Sequence, residues 1–265
     1  MTIPLTWVDA FSEVAFGGNP AAVCLLEDPL DDARMQSIAF ELGIAETAYL
    51  TPTDDPTVFG LRWFSPAVEI DLCGHATLAS AHALRENGVV DGTAPLTFHT
   101  RSGPLRASFA GDTIELDFPV SPIEPGPVPD SLRGQWPGVV VASGHTSFFT
   151  FVVLSAPDAV RSYEPDLEAI AATGAKALLL TAAAAPGSGA DYVLRVFGPN
   201  VGIDEDPATG AAQCVAGPYW AAELGRERLV AHQLSSRGAT LHVRPEGDRV
   251  FIGGRATTVL TGELC

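Results

Sequence analysis

The sequence predicts an α+β protein of two similar halves, each with many strands and few helices. Two observations support this prediction. An eleven-residue motif recurs at half the chain length, and short β-branched and aromatic runs lie between Gly, Pro and Asp residues. A single repetition at this distance favours an old duplication over a short-period solenoid. We therefore expect two pseudo-symmetric halves.

The recurring motif is LRWFSPAVEID at residues 61–71 and LRVFGPNVGID at residues 194–204. Seven of the eleven positions match, at an offset of 133 in a chain of 265 residues. Each copy predicts an apolar strand, a Pro-containing turn and then a helix. We expect the two copies to be related by a near-twofold rotation.

A buried helix is predicted directly after the first copy of the motif. Small and apolar residues run from Gly74 to a terminating Gly88, and this mixture predicts burial on most sides of the helix. Earlier in the chain, DDARMQSIAFEL predicts a helix at 31–42 that Gly43 closes.

The second copy of the motif also leads into a helix pattern. Asp206 suits the N-cap of that helix, and Pro207 suits its first helical position. Pro218 cannot donate a backbone hydrogen bond, so it predicts a kink or a break. A short helix at 165–173 corresponds to the one at 31–42.

Strand patterns fill most of the remaining chain and suggest where the two halves meet. The Pro-rich segment 121–131 predicts a linker, with halves at 1–118 and 119–265. The last strand could return to the first half. The strand patterns are LTWVDAF, AAVCLL, TAYLT, PLTFHT, LRASFAG, TIELDF, HTSFFTFVVL, KALLLT, LHVRP and RVFIGG.

Composition limits the class of protein and its partners. Hydrophobic residues make up 46% of the chain and charged residues 18%, which is enough apolar material for a large core. The net charge of -17 disfavours nucleic acid and anionic membranes as partners. The chain lacks an apolar run of about 18 residues and a secretion signal, so we expect a cytoplasmic protein.

The sequence lacks the common signatures of metal and cofactor sites. The cysteines at positions 24, 73, 214 and 265 form no CxxC pair. GxGxxG before a helix, GxxxxGK[ST], HExxH and GxSxG are also missing. We therefore expect neither a metal nor a cofactor, and chemistry carried by side chains and backbone.

Residues near the two helix starts are candidates for that chemistry. At the offset of 133, Cys73 corresponds to Asp206. If a pseudo-twofold axis relates the halves, both helix starts face one cleft, where their N–H groups would bind a small anionic carboxylate. Glu46 lies in an apolar segment, which disfavours the charged carboxylate and suits an acid or base. His75 is a further proton-transfer candidate.

Four long motifs resemble the PhzF-like family, which is related to diaminopimelate epimerase. The resemblance covers most of the chain. It implies two halves that are each a bent mixed sheet or barrel around a central helix, an active site between them, and a homodimer. The motifs are DAFSEVAFGGNPAAVCLL, ELGIAETAYL, FSPAVEIDLCGHATLASAHAL and FGPNVGIDEDPATGAAQC.

The resemblance implies roles for individual residues. Glu46 matches the general acid/base of the family, and Gly74-His75 matches its substrate-cradling turn. Asp206 belongs to the EDPATG motif and is a second catalytic candidate. Asn19 lies in the GGNP turn and is a candidate for substrate contact.

The start of the second helix completes the predicted substrate site. Thr209, Gly210 and Ala211 are expected to bind substrate there, as Cys73 does at the first helix. PhzF itself has serine where this chain has Ala211, so a phenazine-pathway substrate is not implied. Diaminopimelate epimerases carry a cysteine at both helix starts, whereas this chain pairs Cys73 with Asp206, which disfavours a two-thiol racemase.

The predicted function is a cofactor-independent isomerase that moves a proton on a small carboxylate substrate. Two alternatives remain open. One is an amino-acid epimerase or racemase, and the other is a non-catalytic small-molecule-binding protein of the same fold.

Overall fold

The computed structural model describes residues 2–265 and divides into two compact units. The first unit extends to Phe118 and includes Phe251–Cys265, while the second comprises Pro119–Val250. The final strand therefore lies with the first unit, where it pairs with the first strand. Strands outnumber helices in both units, which confirms the predicted α+β class.

The elements of the first unit follow one another along the chain. They are β1 (Ile3–Ala10), β2 (Asn19–Leu25), α1 (Asp32–Leu42), β3 (Glu46–Pro52), β4 (Val58–Phe64), β5 (Glu69–Ile70), α2 (Gly74–Glu86), β6 (Leu96–Thr100), β7 (Gly103–Ala110) and β8 (Thr113–Pro119).

The elements of the second unit are β9 (Glu124–Pro125), β10 (Val140–His145), β11 (Phe149–Leu154), α3 (Pro157–Arg161), α4 (Leu167–Ala171), β12 (Ala177–Ala183), β13 (Tyr192–Phe197), α5 (Gly210–Leu224), β14 (Leu229–Gln233) and β15 (Ala239–Glu246). Two 3-10 turns lie at Asp130–Leu132 and Pro199–Val201. The chain ends with β16 (Arg249–Gly254) and β17 (Ala256–Leu264), and β16 contains the boundary between the units.

The two units share the same order of strand pairing. In the first, β1–β2, β3–β4 and β6–β7 are antiparallel, whereas β2–β3 and β4–β6 are parallel. In the second, β10–β11, β12–β13 and β14–β15 are antiparallel, whereas β11–β12 and β13–β14 are parallel. The topology of each unit taken by itself therefore supports a duplication. The near-twofold rotation stays a prediction.

Helices α1 and α2 form where the sequence predicts them. The side chain of Asp31 caps α1 by accepting a hydrogen bond from the Arg34 backbone, and Gly43 ends the helix. Every residue of α2 from His75 to Leu84 is buried, and the helix packs against β1, β2 and β3. Small side chains let the strands approach α2 from several sides.

Helix α5 differs from the prediction at Pro218. The helix runs without a break from Gly210 to Leu224, with Pro218 inside it. Proline leaves the carbonyl of Cys214 without its usual helical donor. That carbonyl accepts a hydrogen bond from the Ser121 backbone N–H instead, at 3.0 Å. The helix is not broken at Pro218, because a partner outside the helix satisfies the freed group. A kink, the other expectation, stays a prediction.

The predicted linker 121–131 belongs to the second unit and is not a free connection. It contains β9, which pairs with β10, and the Gly126 N–H donates to the Ser143 carbonyl. The hydroxyl of Ser143 donates to the Gly126 carbonyl. Prolines in this segment reduce the number of backbone donors, but the remaining groups still form sheet contacts.

The run HTSFFTFVVL is a hairpin and not one strand. β10 ends at His145, β11 begins at Phe149, and Thr146 supplies the turn through its backbone and its hydroxyl. The sequence patterns also leave β14 unpredicted. No helix within residues 2–265 combines the length and the apolar character needed to cross a bilayer.

Gly144 lies where β10 passes close to the backbone of β9. A Cβ at this position would lie 2.6 Å from the Glu124 carbonyl oxygen and 2.7 Å from Cγ2 of Ile123. We predict that Gly144→Ala lowers the free energy of unfolding by about 1 to 3 kcal/mol, because the backbone of β9 must move. Urea denaturation measures the change as a lower midpoint.

Gly60→Ala is the matched control, because it makes the same substitution inside a strand. A Cβ at Gly60 would lie 3.5 Å from Cβ of Thr51, which is an ordinary contact. This variant is expected to unfold near the wild-type midpoint. A Gly144→Ala protein as stable as Gly60→Ala would contradict the close approach.

Candidate active site

Three of the predicted site residues form a buried cluster in the first unit. Nε2 of His75 lies 2.9 Å from Oε2 of Glu46, and Nδ1 of His75 lies 3.5 Å from Sγ of Cys73. All three side chains are buried, with 5 to 7% of each residue exposed. A carboxylate, an imidazole and a thiol are therefore in contact away from bulk water.

Sheet register places Glu46 at this point. Glu46 is the first residue of β3 and pairs with Ala21 on the parallel strand β2. Two residues before Ala21, β2 begins with Asn19, whose Nδ2 lies 3.1 Å from Nδ1 of His75. The starts of two neighbouring strands thus supply side chains to the same imidazole ring.

Asn19 begins a strand instead of lying in the predicted turn. The turn itself ends at Gly18, which has a φ of 58°. A Cβ there would lie 2.0 Å from the Ala10 carbonyl oxygen, so only glycine fits. This close approach directs Asn19, which is fully buried, towards the cluster.

Helix α2 positions the other two members of the cluster. Cys73 is the N-cap residue of α2, and His75 lies in the first turn. Arg62 belongs to the motif at residues 61–71, which precedes α2. Its guanidinium donates two hydrogen bonds to the carboxylate of Glu69, each 2.7 Å long. A bidentate pair of this kind fixes the path of the chain between β4 and the helix.

The cluster is electrostatically unusual. Burial raises the pKa of Cys73 above its ordinary value, although the neighbouring His75 opposes this. Burial also opposes the imidazolium form of His75, but the sulfur of Cys73 and the carboxylate of Glu46 outweigh it. Together they raise the pKa of His75 well above 6.5. The arrangement therefore favours an imidazolium next to the Glu46 carboxylate.

The second unit contains Asp206 and the predicted residues that follow it. The predicted start of helix α5 at Asp206 is wrong. The N-cap of α5 is Thr209, not Asp206, and the first helical residue is Gly210. The offset of 133 holds through the motif and becomes 136 at the helix, so Cys73 corresponds to Thr209 as an N-cap. Three more residues precede the helix in the second unit than in the first.

Gln233 explains why the helix begins late. Its buried side chain accepts a hydrogen bond from the Thr209 N–H at 2.8 Å and donates to the Asp206 carbonyl at 2.6 Å. These hydrogen bonds hold residues 206–209 in a non-helical conformation, so the helix cannot begin at Asp206. The hydroxyl of Thr209 in turn donates to Oδ2 of Asp206 at 2.6 Å, which fixes the carboxylate.

Gln233 has no recognisable signature in the sequence. The residue ends β14, and its local sequence LVAHQ resembles any short strand. Its contacts join positions 24 and 27 residues apart, so no short-range pattern could indicate them. The Arg195–Glu205 pair was also missed, although Arg195 repeats Arg62 at the offset of 133.

Both helix starts can bind an anion through their backbone. Neither the Cys73 nor the Thr209 side chain makes a conventional cap hydrogen bond with the helix that it precedes. Gly210 and Ala211 are the first two residues of α5, and Gly74 is the first of α2. Their N–H groups lie at the positive ends of the helix dipoles. The placement of both starts in one cleft stays a prediction.

Comparison with known proteins identifies the family. The family model described as phenazine biosynthesis-like protein matches residues 8–262. An uncharacterized isomerase of Halalkalibacterium halodurans is 40% identical over 265 residues, which is 100% of this chain and 99% of that protein. The phenazine biosynthesis-like domain-containing protein of Homo sapiens is 42% identical over 288 residues, with the same coverage.

Solved structures agree with this assignment. A PhzF family protein from Enterococcus faecalis superimposes with a TM-score of 0.93 at 36% identity, covering 100% of both chains. A hydroxyproline epimerase from Agrobacterium vitis has a TM-score of 0.66 at 13% identity, covering 99% of this chain and 92% of its own. It shows a shared fold alone.

The fold is thus the predicted epimerase-like one, and the names of the relatives support an isomerase- or epimerase-type function. The match to the family model and the relatives at about 40% identity extend over nearly the whole chain. The chain belongs to the PhzC/PhzF phenazine biosynthesis-like family.

Proposed function

We propose that the protein is a cofactor-independent isomerase that moves a proton on a small carboxylate substrate. The observation that carries this proposal is the buried contact between Glu46 and His75 beside the start of α2. A proton-transfer pair lies next to a helix N-terminus there, which favours negative charge. Base and anion site are therefore adjacent in the first unit.

In the proposed mechanism Glu46 is the principal proton-transfer residue. Its carboxylate removes a proton from an activated carbon and returns it to another position of a conjugated system. His75, whose Nε2 lies 2.9 Å from Oε2 of Glu46, holds this carboxylate in position before the transfer. Backbone N–H groups at Gly74, Gly210 and Ala211 would bind the substrate carboxylate and the developing negative charge.

Asp206 is proposed to assist from the second unit. Its carboxylate is oriented by the hydroxyl of Thr209, and Gln233 fixes both residues through the backbone. This chain of contacts gives the side chain a defined direction, which a group that donates or accepts a proton needs.

Epimerisation of an amino or imino acid is the second candidate. It is favoured by the position of Cys73, whose sulfur lies 3.5 Å from Nδ1 of His75. A thiol beside an imidazole can transfer a proton. Burial raises the pKa of Cys73, so the thiol resists ionisation, and Glu46 remains the preferred base.

We predict that Glu46→Gln slows solvent deuterium incorporation by about a hundredfold or more, because glutamine keeps the shape but cannot titrate. The assay follows exchange by NMR in D2O with a panel of small aromatic and cyclohexadiene carboxylates. Glu86→Gln is the matched control, since Glu86 is exposed at the end of α2. It is expected to exchange at the wild-type rate.

Other outcomes of this assay would contradict the proposal. The Glu46→Gln protein could incorporate deuterium at the wild-type rate while Cys73→Ala or Asp206→Asn abolishes incorporation. That result would mean that the protein works as an epimerase. If the wild type binds a panel member without exchange of any carbon-bound proton, it is a binding protein.

We also propose a homodimer, as the family resemblance implies. Sedimentation velocity at micromolar concentration and neutral pH is expected to show twice the mass of the chain. A single species of 27.7 kDa would contradict it.

A further inference from the structure

We infer that Glu46, Cys73 and His75 form a binding site for a borderline-soft divalent cation, with zinc as the occupant. The ion acts as a competitor for the proton-transfer groups and not as a cofactor. Each residue offers one ligand atom, and these atoms lie within 4.8 Å of one another. Thiolate sulfur, imidazole nitrogen and carboxylate oxygen are the three ligand types that zinc uses in proteins.

The distances suit one ion. Zinc bonds of about 2.0 to 2.3 Å in tetrahedral geometry place neighbouring donor atoms about 3 to 4 Å apart. Nε2 of His75 already lies 2.9 Å from Oε2 of Glu46 and 4.0 Å from Sγ of Cys73. These two separations are close to the spacing that a single tetrahedral ion requires.

Glu46 presents a buried carboxylate oxygen to the proposed ion. Its Oε2 is completely buried, and it accepts no well-aligned hydrogen bond from any of residues 2–265, although His75 is at ion-pair distance. A divalent cation would take the place of the imidazole as the partner of this buried oxygen.

The surroundings of His75 also match those of a zinc ligand. A ligating imidazole normally gives its other ring N–H to a fixed acceptor. When Nε2 binds the ion, Nδ1 must carry the proton and donate. Asn19 lies 3.1 Å from Nδ1, and its amide can turn its oxygen towards that proton. Three protein ligands leave the fourth zinc position open.

Binding of zinc to these three residues would reversibly inhibit the proposed proton transfer. The ion would displace the thiol proton of Cys73, and any imidazolium proton of His75, into the buffer. Glu46 could then no longer accept a proton from a substrate. The inference concerns the same residues as the proposed function, but it is tested without any substrate, so the two can fail separately.

The test is a titration of the chelator-treated protein with cobalt(II), a spectroscopic substitute for zinc. A Cys265→Ser background removes the exposed thiol, which would bind metal on its own. We expect one equivalent of cobalt to bind with a sulfur-to-cobalt charge-transfer band, and zinc to displace it. No band, or a band that zinc leaves unchanged, would overturn the inference.

Two variants test the ligands, and a third is their control. Cys73→Ser is expected to lose the charge-transfer band, and Glu46→Gln to weaken binding at least about tenfold. Cys214→Ala is the matched control and is expected to bind as tightly as its parent, because Cys214 is an equally buried thiol in the other unit. If Cys73→Ser fails to fold by circular dichroism, unchanged affinity in Glu46→Gln alone overturns the inference.

Discussion

The contact between His75 and Glu46 is the constraint on which the candidate site depends. Two groups that carry opposite charge lie 2.9 Å apart with almost no exposure to solvent. Burying either group alone would be costly, since removal of one partner from a buried ion pair typically costs about 3 to 5 kcal/mol. The start of β3 and the start of α2 must therefore stay together. The close turn before Asn19 and the Arg62–Glu69 pair hold the two elements that do this.

Duplication explains the framework but not the chemistry. Both units use the same order of parallel and antiparallel pairing, and both place a helix after the motif. In the strand register, Thr47 pairs with Phe64 as Leu178 pairs with Phe197, so Glu46 corresponds to the buried Ala177. The second unit has lost, or never had, the buried acid. The two units therefore carry different side chains at equivalent positions of a similar scaffold.

Arginine shows how the two motif copies diverged. Arg62 and Arg195 occupy the same motif position, and each lies over the phenylalanine two residues later, at 5.2 and 4.7 Å. Their carboxylate partners, Glu69 and Glu205, are not equivalent under the offset of 133. The arginine has the same motif position in both copies, whereas the segment between the motif and the helix is three residues longer in the second. That longer segment carries Asp206.

The features of the fold that depend on short-range sequence patterns could be predicted. Asp31 and Gly43 bound α1 as expected, and the run of small residues in α2 gave a helix buried on most sides. The apolar setting of Glu46 and the position of His75 near a helix start made both residues candidates, and the resemblance to the family assigned their roles. Their mutual contact could not be derived from local sequence, because 29 positions separate them and sheet register decides it.

The errors share a physical cause. The start of α5 was misplaced because the side chain of Gln233, from another strand, satisfies the groups that a helical turn would use. The break at Pro218 was expected because its missing N–H has a local effect, while the compensating donor at Ser121 is distant. Local propensity is overridden wherever a distant group completes a hydrogen bond.

The measurement that tests the central claim most directly is an NMR titration of the His75 ring. We expect it to titrate well above 6.5, and Glu46→Gln to lower its pKa, whereas His82, whose pKa is lowered by burial, should not move. A folded-state pKa above the unfolded value of about 6.5 means that the pair stabilises the fold fully below pH 6.5 and loses this effect as the pH rises through the folded value. A His75 ring that titrates at or below 6.5, unchanged by Glu46→Gln, would contradict the account.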